Sequence, residues 1–305
     1  MPEEITRRQL YDECVALLSA AGKESAEFDT LCIFQDMLGD KNPLFSPLKA
    51  LSSGDASRIR NIAAERAGGR PLQYLLGKWE FYGLPFYVGE GVLIPRPDTE
   101  TLVDHVLEIC RKKALKAPVI ADLCSGSGCI AVALRHELPD AQVYAAEVSP
   151  EALEFLRKNK ELNRSDIHII EGDVLSPATV RAIPKTDIIV SNPPYLTTQD
   201  MAELESEVRC EPPFALFGGS DGLGYYRAIS DLWRNSLKNG GMIAFEFGMG
   251  QHGDVEDILR SSGFTDISFR RDGAGIIRTV SAVKQAPAGG TYTDTSAAAQ
   301  NFTEE

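Results

Sequence analysis

The chain has 305 residues, 43% of them apolar and 25% charged, and a formal charge of −13. That is enough apolar chain for a sizeable core and roughly two domains. So acidic a protein, with no basic block beyond residues 111 to 116, disfavours phosphate neutralisation as its main mode of binding, and with it nucleic acid as the main partner.

In chain order, Leu10, Cys14, Leu17, Leu18 and Ala21 recur at a helical period after Thr6, and Gly22 offers a C-cap. A second helix is expected over 24 to 38 before Gly39, and a third over 55 to 67 before a Gly-Gly-Arg stretch. Residues 1 to 77 therefore read as a small helical domain. Next, "WEFYGLPFYV" places aromatic, β-prone residues around a Gly-Leu-Pro turn and predicts a β-hairpin within a connector, residues 78 to 97. Asp98 is then expected to N-cap a helix whose face carries Leu102, Val103, Val106, Leu107 and Cys110. From Pro118 onward seven short apolar strands alternate with helical stretches, the pattern of an α/β domain (98 to 284) built on a mainly parallel sheet covered on both faces. The small, polar tail, 285 to 305, is expected to be disordered. No apolar run approaches the ~20 residues of a membrane span, and the opening residues are too polar for a signal peptide, so the expected location is the cytoplasm. Six scattered cysteines without a CxxC pair indicate neither a disulfide framework nor a metal site.

Two stretches carry chemistry. "VIADLCSGSGCIAVAL", residues 119 to 134, is a strand, a glycine-rich turn and the start of a helix. Gly126 and Gly128 allow a sharp turn and close approach of a ligand to the peptide groups. Glu147 closes the next strand, where a carboxylate can accept from both hydroxyls of a ribose. These residues describe a nucleoside-type cofactor site. The loop also fits the dinucleotide fingerprint G-x-G-x-x-A. Asp122, just before it, would repel a pyrophosphate but could pair, directly or through water, with the cationic amino-acid group of S-adenosylmethionine. Asp173, after the third strand, is placed to meet an adenine amino group or to act as a plain loop acid or cap.

The second stretch is "VSNPPYL", where a buried strand ends in an amide, two prolines and a phenol. Asn192 at a strand's carboxyl end would lie beside the cofactor's reactive centre. Planar NH2 groups are poor nucleophiles because their lone pair is delocalised. The Asn192 Oδ1 and the Pro193 carbonyl could each accept one N–H of such a group, Pro194 would remove a competing donor, and Tyr195 would stack on the flat acceptor. Catalysis would then rest on positioning and electrostatics in a shielded site.

With these residues, "DLCSGSGCIA", the acid in "AAEVSPEAL", "EGD" and "VSNPPY" resemble class I S-adenosylmethionine-dependent methyltransferases, whose fold is Rossmann-like with a seven-stranded, mainly parallel sheet. The segment "RPLQYLLGKWEFYGLPFYVGEGVLIPRPDTE" narrows the resemblance to the HemK/PrmC family of protein-(glutamine-N5) methyltransferases acting on bacterial peptide chain release factors. It implies that Cys124, Ser125, Gly126, Ser127, Gly128 and Glu147, with Asp122, Asp173 and Val174, hold S-adenosylmethionine. Asn192, Pro193, Pro194 and Tyr195 would clasp the glutamine of a Gly-Gly-Gln motif, and Leu93 and Arg96 would line the acceptor channel. Arg96 also reads as a plain surface residue of a stiff connector. Glutamine methylation of a ribosomal protein and adenine-N6 methylation of nucleic acid are the alternative activities. The chain departs from the family pattern in having Cys124-Ser125 for Gly-Thr, Glu147 for the commoner Asp, and Val174 where some relatives carry an aromatic. Cys124 is tolerable if the positive-φ positions are the later glycines.

Overall fold

The structure is a computed structural model that describes residues 5 to 285; the expected tail lies almost wholly outside the described residues. The chain opens with α1 (Arg7–Ala20), α2 (Ala26–Leu38), α3 (Ser53–Ala67) and the short α4 (Leu72–Leu76). Thr6 caps α1 in a reciprocal capping box with Gln9, satisfying two otherwise orphaned donors. These helices enclose their own core around Leu10, Ile33, Phe34 and Ile59. Leu17, expected on the buried face, is 42% exposed; Leu18, one position on, takes the inward place.

The hairpin follows as β1 (Lys78–Phe81) and β2 (Leu84–Tyr87). Its turn is not the expected Gly-Leu-Pro. Tyr82 and Gly83 form it, both at positive φ (53° and 71°), while Leu84 and Pro85 already pair in β2. Two left-handed central residues match the right-handed strand twist, which a Leu-Pro corner would not. Next comes α5 (Pro97–Lys112), with Arg96 at the N-cap and Pro97 at the first helical position. Asp98 is therefore inside the first turn rather than capping it, because the fixed φ of proline sets the entry and proline has no donor to satisfy.

The remainder alternates: β3 (Val119–Leu123), α6 (Cys129–Glu137), β4 (Gln142–Glu147), α7 (Pro150–Leu162), β5 (His168–Glu171), α8 (Pro177–Ala182), β6 (Thr186–Ser191), α9 (Thr198–Ala202), α10 (Gly224–Trp233), β7 (Leu237–Glu246), α11 (His252–Ser261), β8 (Phe264–Arg271) and β9 (Ile277–Lys284). The seven strands order as β5-β4-β3-β6-β7-β9-β8, parallel except for β9, which runs antiparallel to both neighbours. This is the fold of class I S-adenosylmethionine-dependent methyltransferases. Both sheet faces are covered. Ile120, Ile188 and Val190 pack with α5, α6 and α7, whereas Ala121, Ile189 and Ile243 pack with Tyr226, Trp233 and Leu259 of α10 and α11. Strand order reverses at β3 and β6, and an open sheet leaves a crevice beyond its carboxyl ends at such a point.

A partly buried ionic cluster ties the helical region to the segment after α9. Arg66 donates to Asp29 at 2.7 Å and also meets Glu207 at 2.6 Å, and Lys23 meets the same Glu207 oxygen at 2.7 Å. Replacing Glu207 by Ala removes the shared acceptor of Lys23 and Arg66, of which Arg66 keeps Asp29. A loss of ~1 kcal/mol, the scale of one such hydrogen bond, should lower the melting temperature by about 2–4 °C and speed amide exchange across residues 198 to 216. Unchanged exchange there would show that the segment is held from elsewhere.

Candidate active site

The glycine loop leaves β3 with Cys124 at φ +59°, Gly126 at +54° and Gly128 at +81°. Cys124 thus occupies a left-handed position itself, contrary to the expectation that only the glycines would. For an L-residue that conformation costs about 1–2 kcal/mol. At Gly128 a Cβ would lie 2.2 Å from Leu156 Cδ1, whereas at Gly126 it would meet nothing within 4 Å. One glycine therefore serves helix packing and the other keeps the loop open to a ligand.

Glu147 ends β4 and lies 7% exposed. Its Oε2 accepts from Gly126 N–H at 2.8 Å, and its Oε1 accepts from Val148 and Ser149 N–H, each at 2.8 Å. Three of the roughly four lone-pair directions of a carboxylate are thereby occupied, so Glu147 first shapes the loop and has about one direction left for a ligand. Asn159 of α7, fully buried, steadies the same loop: its Nδ2 donates to Ser127 O (2.9 Å) and Tyr87 O (3.0 Å), and its Oδ1 accepts from Tyr87 N–H (2.6 Å). The hairpin and the loop are joined through one side chain that no local pattern distinguishes.

A cavity opens here, at the carboxyl ends of the strands. Cys124, Ser125, Gly126, Ser127, Glu147, Asp173 and Val174 line it, as do Leu93, Arg96, Asn192 and Pro194. Gly128 lies behind the wall, against Leu156. Asp122 is also not in the wall: it is wholly buried, neither carboxyl oxygen has a hydrogen-bond partner, and burial pushes its pKa up to about 8. Asp122 was expected to meet a ligand directly or through water, and its burial behind the wall leaves no direct contact open. Asp173 reaches the cavity while its Oδ1 accepts from Leu175 N–H at 2.8 Å, so it is also a loop acid. Cys124 and Cys129 both line the cavity, and burial pushes both thiols up, Cys129 to about 12, which keeps them neutral.

A second, more open cleft of about 1130 Å³ adjoins the first. Pro193 and Tyr195 open onto it, whereas Leu93, Arg96 and Asn192 line both. The two spaces meet at the end of β6, where Ser191 Oγ donates to Leu123 O at 2.6 Å and holds the two strand ends together. Asn192 Nδ2 donates to Thr99 Oγ1 at 3.2 Å. Burial pushes the Tyr195 phenol up to about 12, so it stays protonated. Behind these residues, Gly218 and Gly222 come so close that a Cβ would lie 2.5 Å from Pro194 O and 2.3 Å from Tyr195 O. Gln251 Nε2 also donates to Tyr195 O at 3.0 Å.

Arg96 is not a free surface residue. Glu211, 3% exposed, accepts from its guanidinium and, through Oε2, from Ile94 N–H at 3.0 Å. Glu211, Thr99, Phe214 and Tyr225 are site residues that sequence reasoning missed. Phe214 and Tyr225 line the first cavity and supply the aromatic surface that Val174 lacks. The run of prolines and glycines from Pro212 to Gly224 is the one signal that could have drawn attention to that segment. Among the described residues no cluster of three His, Cys, Asp or Glu side chains could hold a metal ion, and no helix is long and apolar enough to cross a membrane.

The left-handed Cys124 yields a test. Cys124→Gly should relieve its strain, and after the extra chain entropy of glycine a gain of up to ~1 kcal/mol should raise the melting temperature by about 2–4 °C. A fall would mean that the thiol's packing outweighs the strain.

Two family models match the chain: a PrmC N-terminal domain over residues 9 to 77 and a methyltransferase small domain over 98 to 208. A release factor glutamine methyltransferase of Geobacter sulfurreducens is 39% identical over 282 residues, spanning 92% of this chain and 97% of the relative. One from Bradyrhizobium diazoefficiens is 38% identical, spanning 93% and 95%. Among solved structures, a methyltransferase from Pyrococcus furiosus matches 77% of this chain and 100% of its own at 16% identity and a TM-score of 0.51, a likeness of fold. Helical region, hairpin, glycine loop and Asn-Pro-Pro-Tyr end all fall within the matched length, and the chain belongs to the release factor glutamine methyltransferase family.

Proposed function

We propose that the chain transfers the methyl group of S-adenosylmethionine to the side-chain amide nitrogen of the glutamine in the Gly-Gly-Gln motif of bacterial peptide chain release factors. The observation that carries this reading is the meeting of two spaces at Asn192: a cavity at the strand ends and a more open cleft beside it. Family membership supports the same acceptor. The cleft is edged by Asp200, Glu203 and Glu205, a poor setting for nucleic acid phosphates and a good one for a basic polypeptide. Such an acceptor goes with a cytoplasmic location.

The residues of the first cavity fit the cofactor. Gly126 leaves room where a Cβ would stand, Glu147 has about one lone-pair direction for a ribose hydroxyl, and Asp173, Val174 and Tyr225 form the wall for a flat base. Ser125 and Ser127 complete the loop. When bound, S-adenosylmethionine supplies a methyl group on an electron-poor sulfonium. The protein's task lies with the acceptor. Asn192 Oδ1 and the Pro193 carbonyl each accept one N–H of the glutamine amide, which orients the nitrogen and favours its rehybridisation. Pro194, lacking an N–H, cannot compete for those oxygens. Tyr195, with its neutral phenol, stacks on the amide plane, and Arg96 and Leu93 bound the passage between the two spaces. The extra proton on nitrogen leaves after the new bond forms, so no base must act first.

A purified bacterial release factor incubated with this protein and S-adenosylmethionine should gain one methyl, mapped by mass spectrometry to the glutamine of Gly-Gly-Gln. A methyl found only on a ribosomal protein or on adenine would replace the acceptor in this reading. Asn192→Ala should fold normally yet lose ~100-fold or more in kcat, the scale of a lost transition-state stabiliser. Near-normal turnover would sink the amide clasp.

A further inference from the structure

Glu246 ends β7 beside the active site and has no part in the chemistry described so far. It is 2% exposed and lines neither cavity, so no acceptor amide can touch it. Its Oε2 has no hydrogen-bond partner, an expensive state for a buried carboxylate. Parallel pairing of Ser191 with Phe245 sets Asn192 and Glu246 side by side, one residue further along adjacent strands. The backbone of Glu246 is fixed by pairing with Thr279 and by Tyr226, whose hydroxyl donates to the Glu246 carbonyl at 2.9 Å. The Thr99 and Asn192 side chains both favour the ionised form of its carboxyl.

We propose that Glu246 and Thr99 are positioning residues that hold the Asn192 carboxamide with its nitrogen turned into the protein and its Oδ1 turned toward the acceptor amide. The proposal rests on the methyl-transfer reading above. A carboxamide can be turned over with almost no change in shape, and only Oδ1 can accept an acceptor N–H. Asn192 Nδ2 donates to Thr99 Oγ1. That hydroxyl keeps its own hydrogen, and the ionised carboxyl beside it is the acceptor for it. The resulting order, amide to hydroxyl to carboxylate, polarises in one direction. Turned over, Asn192 would present Oδ1 to a hydroxyl whose one hydrogen is already donated to the carboxylate, leaving two acceptors face to face.

The device depends on charge. Burial, with Asp98 acting in the same direction, pushes Glu246 up to about 7, while Thr99, Arg278 and Asn192 favour its ionised form. Tyr195, Tyr226 and Cys129 also face this carboxyl, and each stays neutral. Protonation gives Glu246 a hydrogen to donate to Thr99, which reverses the order. Turnover should therefore fall as pH drops through about 7.

The test uses the full chain, a purified release factor and S-adenosylmethionine. Thr99→Val keeps the side chain's shape but removes its hydroxyl; kcat should fall ~10-fold or more, the scale of one hydrogen bond to a charged group, with KM for S-adenosylmethionine and melting temperature little changed. Thr99→Ser should restore most of kcat. Glu246→Gln should remove the acid limb of the kcat profile, and adding it to Thr99→Val should cost little more, as for residues acting as a unit. Wild-type kcat in Thr99→Val, or an unchanged acid limb in Glu246→Gln, overturns the inference while leaving the function standing. If Glu246→Gln does not fold, the Val and Ser pair at Thr99 decides alone. A wild-type chain that binds S-adenosylmethionine but methylates no release factor overturns the reading of function, and the inference with it.

Discussion

Parallel pairing of β3 with β6 is the constraint on which the site depends. The register brings Leu123 and Ser191 level, and a short hydrogen bond locks their ends. Everything chemically useful then leaves the sheet from two adjacent points: the glycine loop from one strand, the Asn-Pro-Pro-Tyr segment from the other. Strands of opposite sense would have sent these segments to opposite edges. Because the helices that follow β3 and β6 diverge, the space between them stays open without any residue being held out of the core.

Around that point the protein supports its reactive residues from behind. Asn159 fastens the loop to the hairpin, Gly218 and Gly222 admit the backbone of Pro194 and Tyr195 at close range, and Glu211 fixes Arg96 between the two spaces. Positioning of this kind suits a reaction on an amide nitrogen, in which the protein has no strong acid or base to offer and works through the placement of acceptors. The Lys23, Arg66 and Glu207 cluster extends the support outward, so that the cleft's outer segment is tied to the helical region.

Two buried carboxyls, Asp122 and Glu246, stand at the ends of neighbouring regions of the sheet with unpartnered oxygens and raised pKa values. Both weigh against stability, since each is desolvated without full hydrogen bonding. They lie where β3 and β7 approach the site, not elsewhere in the core, which accords with a fold that carries its least favourable polar burial next to its function.

Much was legible in the chain. Periodicity of the apolar residues gave the helices and the seven strands, because burial on a helix face or a strand imposes its spacing directly on the sequence. That the glycine loop, Glu147 and Asn192 would stand together could be read because a parallel sheet brings the carboxyl ends of its strands to one side. The turn at Tyr82 and Gly83, the left-handed Cys124 and the interior position of Asp122 could not, since a backbone angle or a side chain's direction is chosen by the whole fold and leaves the residue type unchanged. Thr99, Glu211 and the purpose of Glu246 were hidden for a related reason: these residues lie on α5, in the segment after α9 and on β7, far apart in sequence, and only the packing of α5 and that segment against the ends of β6 and β7 brings them together. The sequence by itself determined the elements, the α/β class and which residues stand at the strand ends. Tertiary structure alone decided which distant side chains orient them, because orientation is a property of contacts and contacts between remote residues have no local signature.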